Sequence, residues 1–258
     1  MTRTALGLRT ASMIIAIPVV LTLVYLGGYY LLFGLVGFYL LGAHEWSRIC
    51  QDGGSIPVSW LNFFGGLPIL WIAFTGHMWL MWPAMALLLS VNLIIPPLIG
   101  LSGGTVGMDL FGQVYIALPL AYLFLLRAHG FANTASALIL VWAADIGAYL
   151  IGSKFGRHKL SPRLSPGKTW EGTAGGILFA VVAGIVLSAF LLRRGVPFGV
   201  LVGAVTGLLA VLGDLGESAI KRWANTKDSG SFLPGHGGLL DRIDSLLFAL
   251  PLLYYLLR

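Results

Sequence analysis

Apolar runs of membrane-spanning length follow one another along almost the whole sequence. This constrains the fold more than any single motif. A helix needs about 20 mostly apolar residues to cross a bilayer, with about 17 as the lower limit. Nine candidates lie near 11–27, 29–46, 60–75, 78–99, 110–126, 134–153, 174–192, 197–213 and 239–257. Only Gly27-Gly28 separates the first two, and 60–75 is short, so eight spans also fit the pattern. The expectation is an all-α, polytopic integral membrane protein with about nine transmembrane helices and polar loops. Charged residues make up 10% of the chain, against about a quarter in soluble domains. Mean hydropathy is +0.88. The 35 glycines suit close helix packing in lipid. Cys50 is alone and forms no internal disulfide.

Arg3 and Arg9 before an apolar run have the form of a signal-peptide start. No small-x-small cleavage site follows, and more spans come straight after, so this run is expected to stay as the first span. The net charge of +6 is read as loop charge that sets orientation, not as a nucleic-acid surface. With nine spans and the N-terminus inside, Arg3, Arg9, Arg48, Lys154, Arg157, Lys159, Arg163, Lys168, Lys221, Arg222, Lys227 and Arg242 fall inside. Only Arg127, Arg193, Arg194 and Arg258 fall outside. Two long polar loops, about 154–173 and 214–238, then face the cytoplasm, where nucleotides are. The expected location is the inner (cytoplasmic) membrane, with the site on the cytoplasmic face.

Residues 1–133 read as N-terminal transmembrane helices, nearly featureless and lipid-facing. Residues 134–258 read as the catalytic region within one integrated membrane domain. Asp145 lies inside an apolar run, where a carboxylate costs roughly 2.5 kcal/mol or more and usually marks function. Asp214 ends the next-to-last span, in Gly213-Asp214-Leu215-Gly216-Glu217-Ser218.

The densest chemistry lies between Ser218 and Asp244. Lys221, Arg222, Lys227 and Arg242 bring positive charge. Pro234-Gly235 and Gly237-Gly238 bracket His236, so the backbone can turn tightly and approach a ligand closely. Asp241 and Asp244 open the last helix three residues apart, on one face. Cations beside clustered carboxylates suit phosphoryl chemistry. Carboxylates hold Mg²⁺, which keeps contact with substrate phosphates. Lys and Arg neutralise the charge that develops in transfer. Gly167-Lys168-Thr169 has the look of a P-loop end, but Pro162 stands where that pattern needs glycine, and no strand is expected before it. Lys168 could still reach a phosphate. The lone His44, His77, His129 and His158 read as interface residues.

The Ser218–Asp244 segment resembles the phosphatidate cytidylyltransferase (CDP-diacylglycerol synthase) family. That pattern runs Ser, Lys-Arg, four residues, Lys-Asp, then Pro-x-His-Gly-Gly, then Asp-Arg-x-Asp, and each fixed position is present at the same spacing. The resemblance extends to Asp145-Ile146-Gly147-Ala148-Tyr149 and to Ser165-Pro166-Gly167-Lys168-Thr169-Trp170-Glu171-Gly172, so it covers the C-terminal half. Ile146 departs from the family's usual Ser or Thr.

The resemblance implies that CTP and phosphatidate give CDP-diacylglycerol and pyrophosphate, and that the enzyme works as a homodimer in the membrane. Asp145, Asp214, Asp241 and Asp244 are then expected to hold Mg²⁺, with a second cation such as K⁺. Asp214, Lys221, Asp241, Arg242 and Asp244 form the catalytic set. Ser165, Lys168, Arg222, Lys227, His236, Gly237 and Gly238 are expected to bind substrate. A phosphate monoester is already ionised near neutral pH, so His236 reads as a structural or phosphate-contacting residue rather than a base. The residues leave two alternatives open. One is another CTP-using lipid enzyme, a polyprenol kinase or archaeol cytidylyltransferase. The other is an ion-coupled transporter using Asp145 and Asp214.

Overall fold

A computed structural model describes residues 16–101, 103–230 and 237–258. The protein is an all-α membrane protein whose described residues include a small β-hairpin. Among the described residues, five helices are long and apolar enough to cross a membrane: Met78–Leu98, Gly103–Ala128, Phe131–Phe155, Trp170–Leu192 and Val196–Trp223. The chain forms two compact units, Met1–Leu125 with Lys221–Arg242, and Leu126–Ile220 with Ile243–Arg258.

The first unit holds α1 (Ala16–Leu26), α2 (Gly28–Asp52), α3 (Ser59–Gly65), α4 (Leu67–Thr75), α5 (Met81–Leu98) and most of α6 (Gly103–Ala128). Gly27 and Gly28 both take positive φ and break α1 from α2, a conformation glycine adopts without steric cost. The stretch 60–75, expected as one span, is two helices divided at Gly65-Gly66. Tyr39 explains the division. Its hydroxyl donates to the Asn62 carbonyl at 2.5 Å and accepts from the Gly66 amide at 2.8 Å. A side chain thus satisfies groups that an unbroken helix would pair, as irregular backbone at membrane depth requires.

The N-terminal helices are not featureless, which corrects the expectation from sequence. Asp109 is fully buried and accepts from the Val58 amide at 2.9 Å and from Asn62 Nδ2 at 2.8 Å. Gln113 Nε2 donates to the side-chain oxygens of Asn62 and Asn92, each at 3.2 Å. Asn92 Nδ2 donates back to Gln113 at 2.9 Å. A buried polar network satisfied in this way fixes one packing arrangement. Sequence spacing hid it, because its members lie tens of residues apart.

The second unit holds α7 (Phe131–Phe155), the strands β1 (Lys159–Ser161) and β2 (Ser165–Thr169), α8 (Trp170–Leu187), and most of α9 (Val196–Trp223) and α10 (Leu240–Leu257). Small residues bring its helices together. A Cβ on Gly176 would lie 2.9 Å from the Ala144 carbonyl of α7, and one on Gly199 would lie 2.5 Å from the Gly184 carbonyl of α8. Close backbone approach of this kind is how helices associate in lipid.

Two polar loops differ from expectation. The 154–173 loop contains an antiparallel hairpin, in which Lys159 pairs with Thr169 and Ser161 with Ser165. A strand, β1, does therefore precede Gly167-Lys168-Thr169, which itself lies within the second strand of the hairpin rather than in a turn. The 214–238 loop begins ten residues late, because α9 runs on to Trp223. Residues 214–223 contain no proline, and Glu217, Ala219, Lys221 and Arg222 favour helix. The end comes where Asn225 turns left-handed at φ 55°. There the Asn225 and Thr226 amides donate back to the Arg222 and Lys221 carbonyls at 3.1 and 2.9 Å, a common helix stop.

Candidate active site

The second unit gathers polar side chains from four elements. Asp145 of α7 accepts from the Ser245 hydroxyl of α10 at 3.1 Å. Asp244 accepts from the Ser245 amide at 2.7 Å. Two carboxylates thus flank one serine. Gly213 lets α9 approach α10 at this level: a Cβ there would lie 2.7 Å from the Asp244 carbonyl. Asp214 follows at once on α9. Lys168 of β2 reaches it at 2.7 Å and also donates to the Val211 carbonyl at 3.4 Å. The Ser218 hydroxyl, one turn along α9, donates to Asp214 at 3.4 Å. The Asp214 side chain is 41% exposed, and such a pair contributes only about 0–1 kcal/mol to stability. Its consequence is orientation: it aims an ammonium group from the hairpin at α9.

The first unit gathers a second group. Lys221 and Asp241 pair at 2.5 Å, each side chain only 11% exposed. The other Asp241 oxygen accepts from the Ser229 amide at 2.9 Å and the Gly238 amide at 2.8 Å. Asp241 therefore ties three parts of the segment together: the end of α9, residue 229 and the turn before α10. Glu45 of α2 joins them. It accepts from the Leu239 amide at 2.7 Å, the Leu240 amide at 2.9 Å and the Ser229 hydroxyl at 3.1 Å. Sequence reasoning missed Glu45. A single buried carboxylate among apolar residues was the available signal, but its partners are nearly two hundred residues away.

The glycines of the motif also have a packing role. A Cβ on Gly238 would overlap Ser229 Oγ and lie 2.5 Å from Glu45 Oε2. A Cβ on Gly237 would lie 2.7 Å from Asp241 Oδ2, and Gly237 has φ +82°. These glycines make room for the protein's own side chains. A Cβ on Gly167, by contrast, would meet nothing within 4 Å. Gly167→Ala should leave thermal unfolding within about 0.5 kcal/mol of wild type, the range of surface changes. If its turnover falls all the same, the open space beside Gly167 is used by a ligand.

The remaining expected residues are more exposed. Arg222 donates to the Thr226 carbonyl at 3.1 Å and is exposed, as are Lys227 and Arg242. Ser165 lies in β2 opposite Ser161. His236 lies outside the described residues. Thr169 caps α8, its hydroxyl accepting from the Gly172 amide at 3.1 Å, so the third amide of the helix is already used. His158 contacts Glu171 at 2.5 Å, and Glu171 also accepts from the Arg157 and His158 amides. These contacts close the base of the hairpin.

Among the described residues, no three His, Cys, Asp or Glu side chains converge as a metal site. Mg²⁺ asks for less: one or two carboxylates, with substrate phosphates and water completing its shell. Asp145 and Asp244 around Ser245 fit that donor chemistry. Asp241 has its oxygens engaged by a lysine and two amides.

Apolar helices of membrane-spanning length that pack through glycine, with the ion pair Lys168–Asp214 in one unit and Lys221–Asp241 in the other, define a polytopic membrane protein. The pattern of the cytidylyltransferase family matches residues 7–258, and the chain belongs to that family. It is similar to the phosphatidate cytidylyltransferase of Staphylococcus epidermidis, with 43% identity over 149 residues, or 57% of each protein. The Bacillus subtilis phosphatidate cytidylyltransferase is 42% identical over 158 residues, 59% of this chain and 58% of that protein. The Haemophilus influenzae phosphatidate cytidylyltransferase is 45% identical over 132 residues, 49% of this chain and 46% of that protein. The chain thus spans between 46% and 58% of the length of these relatives.

Proposed function

We propose that the protein transfers CMP from CTP to phosphatidate, giving CDP-diacylglycerol and pyrophosphate for phospholipid synthesis. The observation that carries this reading is the convergence of α7, β2, α9 and α10 on Asp145, Lys168, Asp214 and Asp244. Relatives named for this activity support it. A phosphatidate oxygen attacks the α-phosphorus of CTP in line. The new P–O bond forms as the bond to the β-phosphate breaks, and pyrophosphate leaves with the electron pair. The attacking phosphate has its second pKa near 6, so no side chain need take a proton. Lys168 and Lys221 are cations held in place before substrate arrives, and such preorganised charge stabilises what develops in transfer. Arg222, Lys227 and Arg242 add positive charge for the phosphates, and Ser165, His236, Gly237 and Gly238 remain our candidate substrate contacts.

Asp145 and Asp244, with Asp214 close by, are the residues that would hold Mg²⁺. When bound, Mg²⁺ supplies positive charge to the phosphate oxygens. A second cation such as K⁺ belongs to the same proposal. Asp145→Asn is expected to raise the Mg²⁺ needed for half-maximal activity by about 10–100-fold, the scale of a weakened metal site. An unchanged Mg²⁺ requirement would remove Asp145 from the site.

The loop charges favour a protein of the inner membrane with this chemistry on the cytoplasmic face. We also propose that it works as a homodimer, the state the family resemblance implies. The direct test is purified protein in lipid with CTP, phosphatidate and Mg²⁺. Formation of CDP-diacylglycerol is the expected result. No product from phosphatidate, with conversion of another acidic lipid, would refute the substrate assignment.

A further inference from the structure

Glu45 is a carboxylate 3% exposed, on a helix the family motif does not include. A buried carboxylate is costly unless it is hydrogen-bonded, and this one meets three donors. Two are the Leu239 and Leu240 amides at 2.7 and 2.9 Å, where α10 begins. Helix starts leave such amides without intrahelical partners and favour negative charge. A nearby serine or aspartate ordinarily caps them. Here the cap comes from α2. The third donor is the Ser229 hydroxyl at 3.1 Å. Ser229 in turn gives its amide to Asp241 at 2.9 Å, and Asp241 holds Lys221. The contacts form a chain from Glu45 through Ser229 to Asp241 and Lys221. The fit is tight from both sides, since a Cβ on Gly230 would lie 2.9 Å from Glu45 Oε1 and one on Gly238 would lie 2.5 Å from Oε2.

We propose that Glu45 is a positioning residue for nucleotidyl transfer: it locks the segment before α10 so that Asp241 presents Lys221 in one orientation. This rests on the functional reading above. Glu45 itself touches no substrate in the proposal. It acts through a held lysine, so its loss should lower the rate of the bound complex more than nucleotide affinity.

The test compares wild type with Glu45→Gln, Glu45→Asp and Ser229→Ala, each purified in lipid. Two quantities are measured: amide hydrogen exchange over residues 237–241 without substrate, and kcat and KM for CTP with phosphatidate. Gln has one accepting oxygen and must turn its NH₂ toward an amide N–H or the serine. Exchange in Glu45→Gln should quicken about tenfold at 237–241 while α2 stays protected. Its kcat should fall about tenfold or more with KM for CTP within about twofold. Glu45→Asp keeps two accepting oxygens and should recover part of both. Ser229→Ala should fall between wild type and Glu45→Gln, and the Glu45→Gln/Ser229→Ala double variant should be no worse than Glu45→Gln, because both act on one chain of contacts.

Unchanged exchange at 237–241 would overturn the lock. Quickened exchange with wild-type kcat, or additive losses in the double variant, would overturn the positioning role. If Glu45→Gln does not fold, the exchange and kcat of Ser229→Ala decide in the same way. A wild type inert toward CTP and phosphatidate would instead defeat the functional reading, and the exchange arm would still decide the lock.

Discussion

Asp241→Asn should lower turnover at least about 100-fold, the scale of losing one preorganised electrostatic group. Asparagine has a single accepting oxygen, whereas Asp241 uses both of its oxygens, one for Lys221 and one shared by the Ser229 and Gly238 amides. The change also removes the Asp241 charge from beside the largely buried Lys221. Removing one partner of a fully buried pair costs about 3–5 kcal/mol. With both side chains 11% exposed, a loss of about 3 kcal/mol or less is expected. Turnover at saturating substrates and thermal unfolding separate the two effects. Lys221→Met should lose much of the same turnover, and the double variant should fall well short of the summed losses, because the two residues act as a unit. Near-normal turnover in Asp241→Asn would take the Lys221–Asp241 pair out of the mechanism.

Gly238→Ala is the second large effect. The added methyl overlaps Ser229 Oγ and comes within 2.5 Å of Glu45 Oε2. Both neighbours are themselves tied down, Ser229 by Asp241 and Glu45 by two helix-start amides. The turn must therefore move. Overpacking of this kind costs about 1–3 kcal/mol. The movement draws the Gly238 amide away from Asp241, so turnover should drop about 100-fold, like the loss of a preorganised group. Gly167→Ala, with open space around it, should show no such loss of stability. Equal unfolding and equal turnover in Gly238→Ala and wild type would show that the turn is not held as described.

Much of the helical pattern was legible because a bilayer imposes a length on apolar runs. The runs at 78–99 and 134–153 correspond to helices Met78–Leu98 and Phe131–Phe155. The break in 60–75 was not legible, since it depends on the Tyr39 hydroxyl, which belongs to another helix. The end of α9 was misplaced because an apolar criterion stops at Gly213, whereas helix propensity and the Asn225 turn carry the helix to Trp223. Of the candidate site, Asp145, Lys168 and Asp214 stood out as charges in apolar or glycine-rich settings. The structure gives Lys168 and Asp214 to each other and links Asp145 to Ser245. Ser245 itself gave no signal, being an ordinary residue in an apolar helix. Glu45 stood out only as a carboxylate in an apolar run, and its role was illegible for the same reason as that of Tyr39: it is set by contacts made across the fold.

The most direct test of cytidylyl transfer is the fate of the CTP phosphates during turnover with phosphatidate. CTP labelled at the α-phosphorus should pass its label into the lipid product, and CTP labelled at the γ-phosphorus should release its label as pyrophosphate. Label from the γ-phosphorus in the lipid, with the α-label left in CDP, would identify a lipid kinase and contradict cytidylyl transfer.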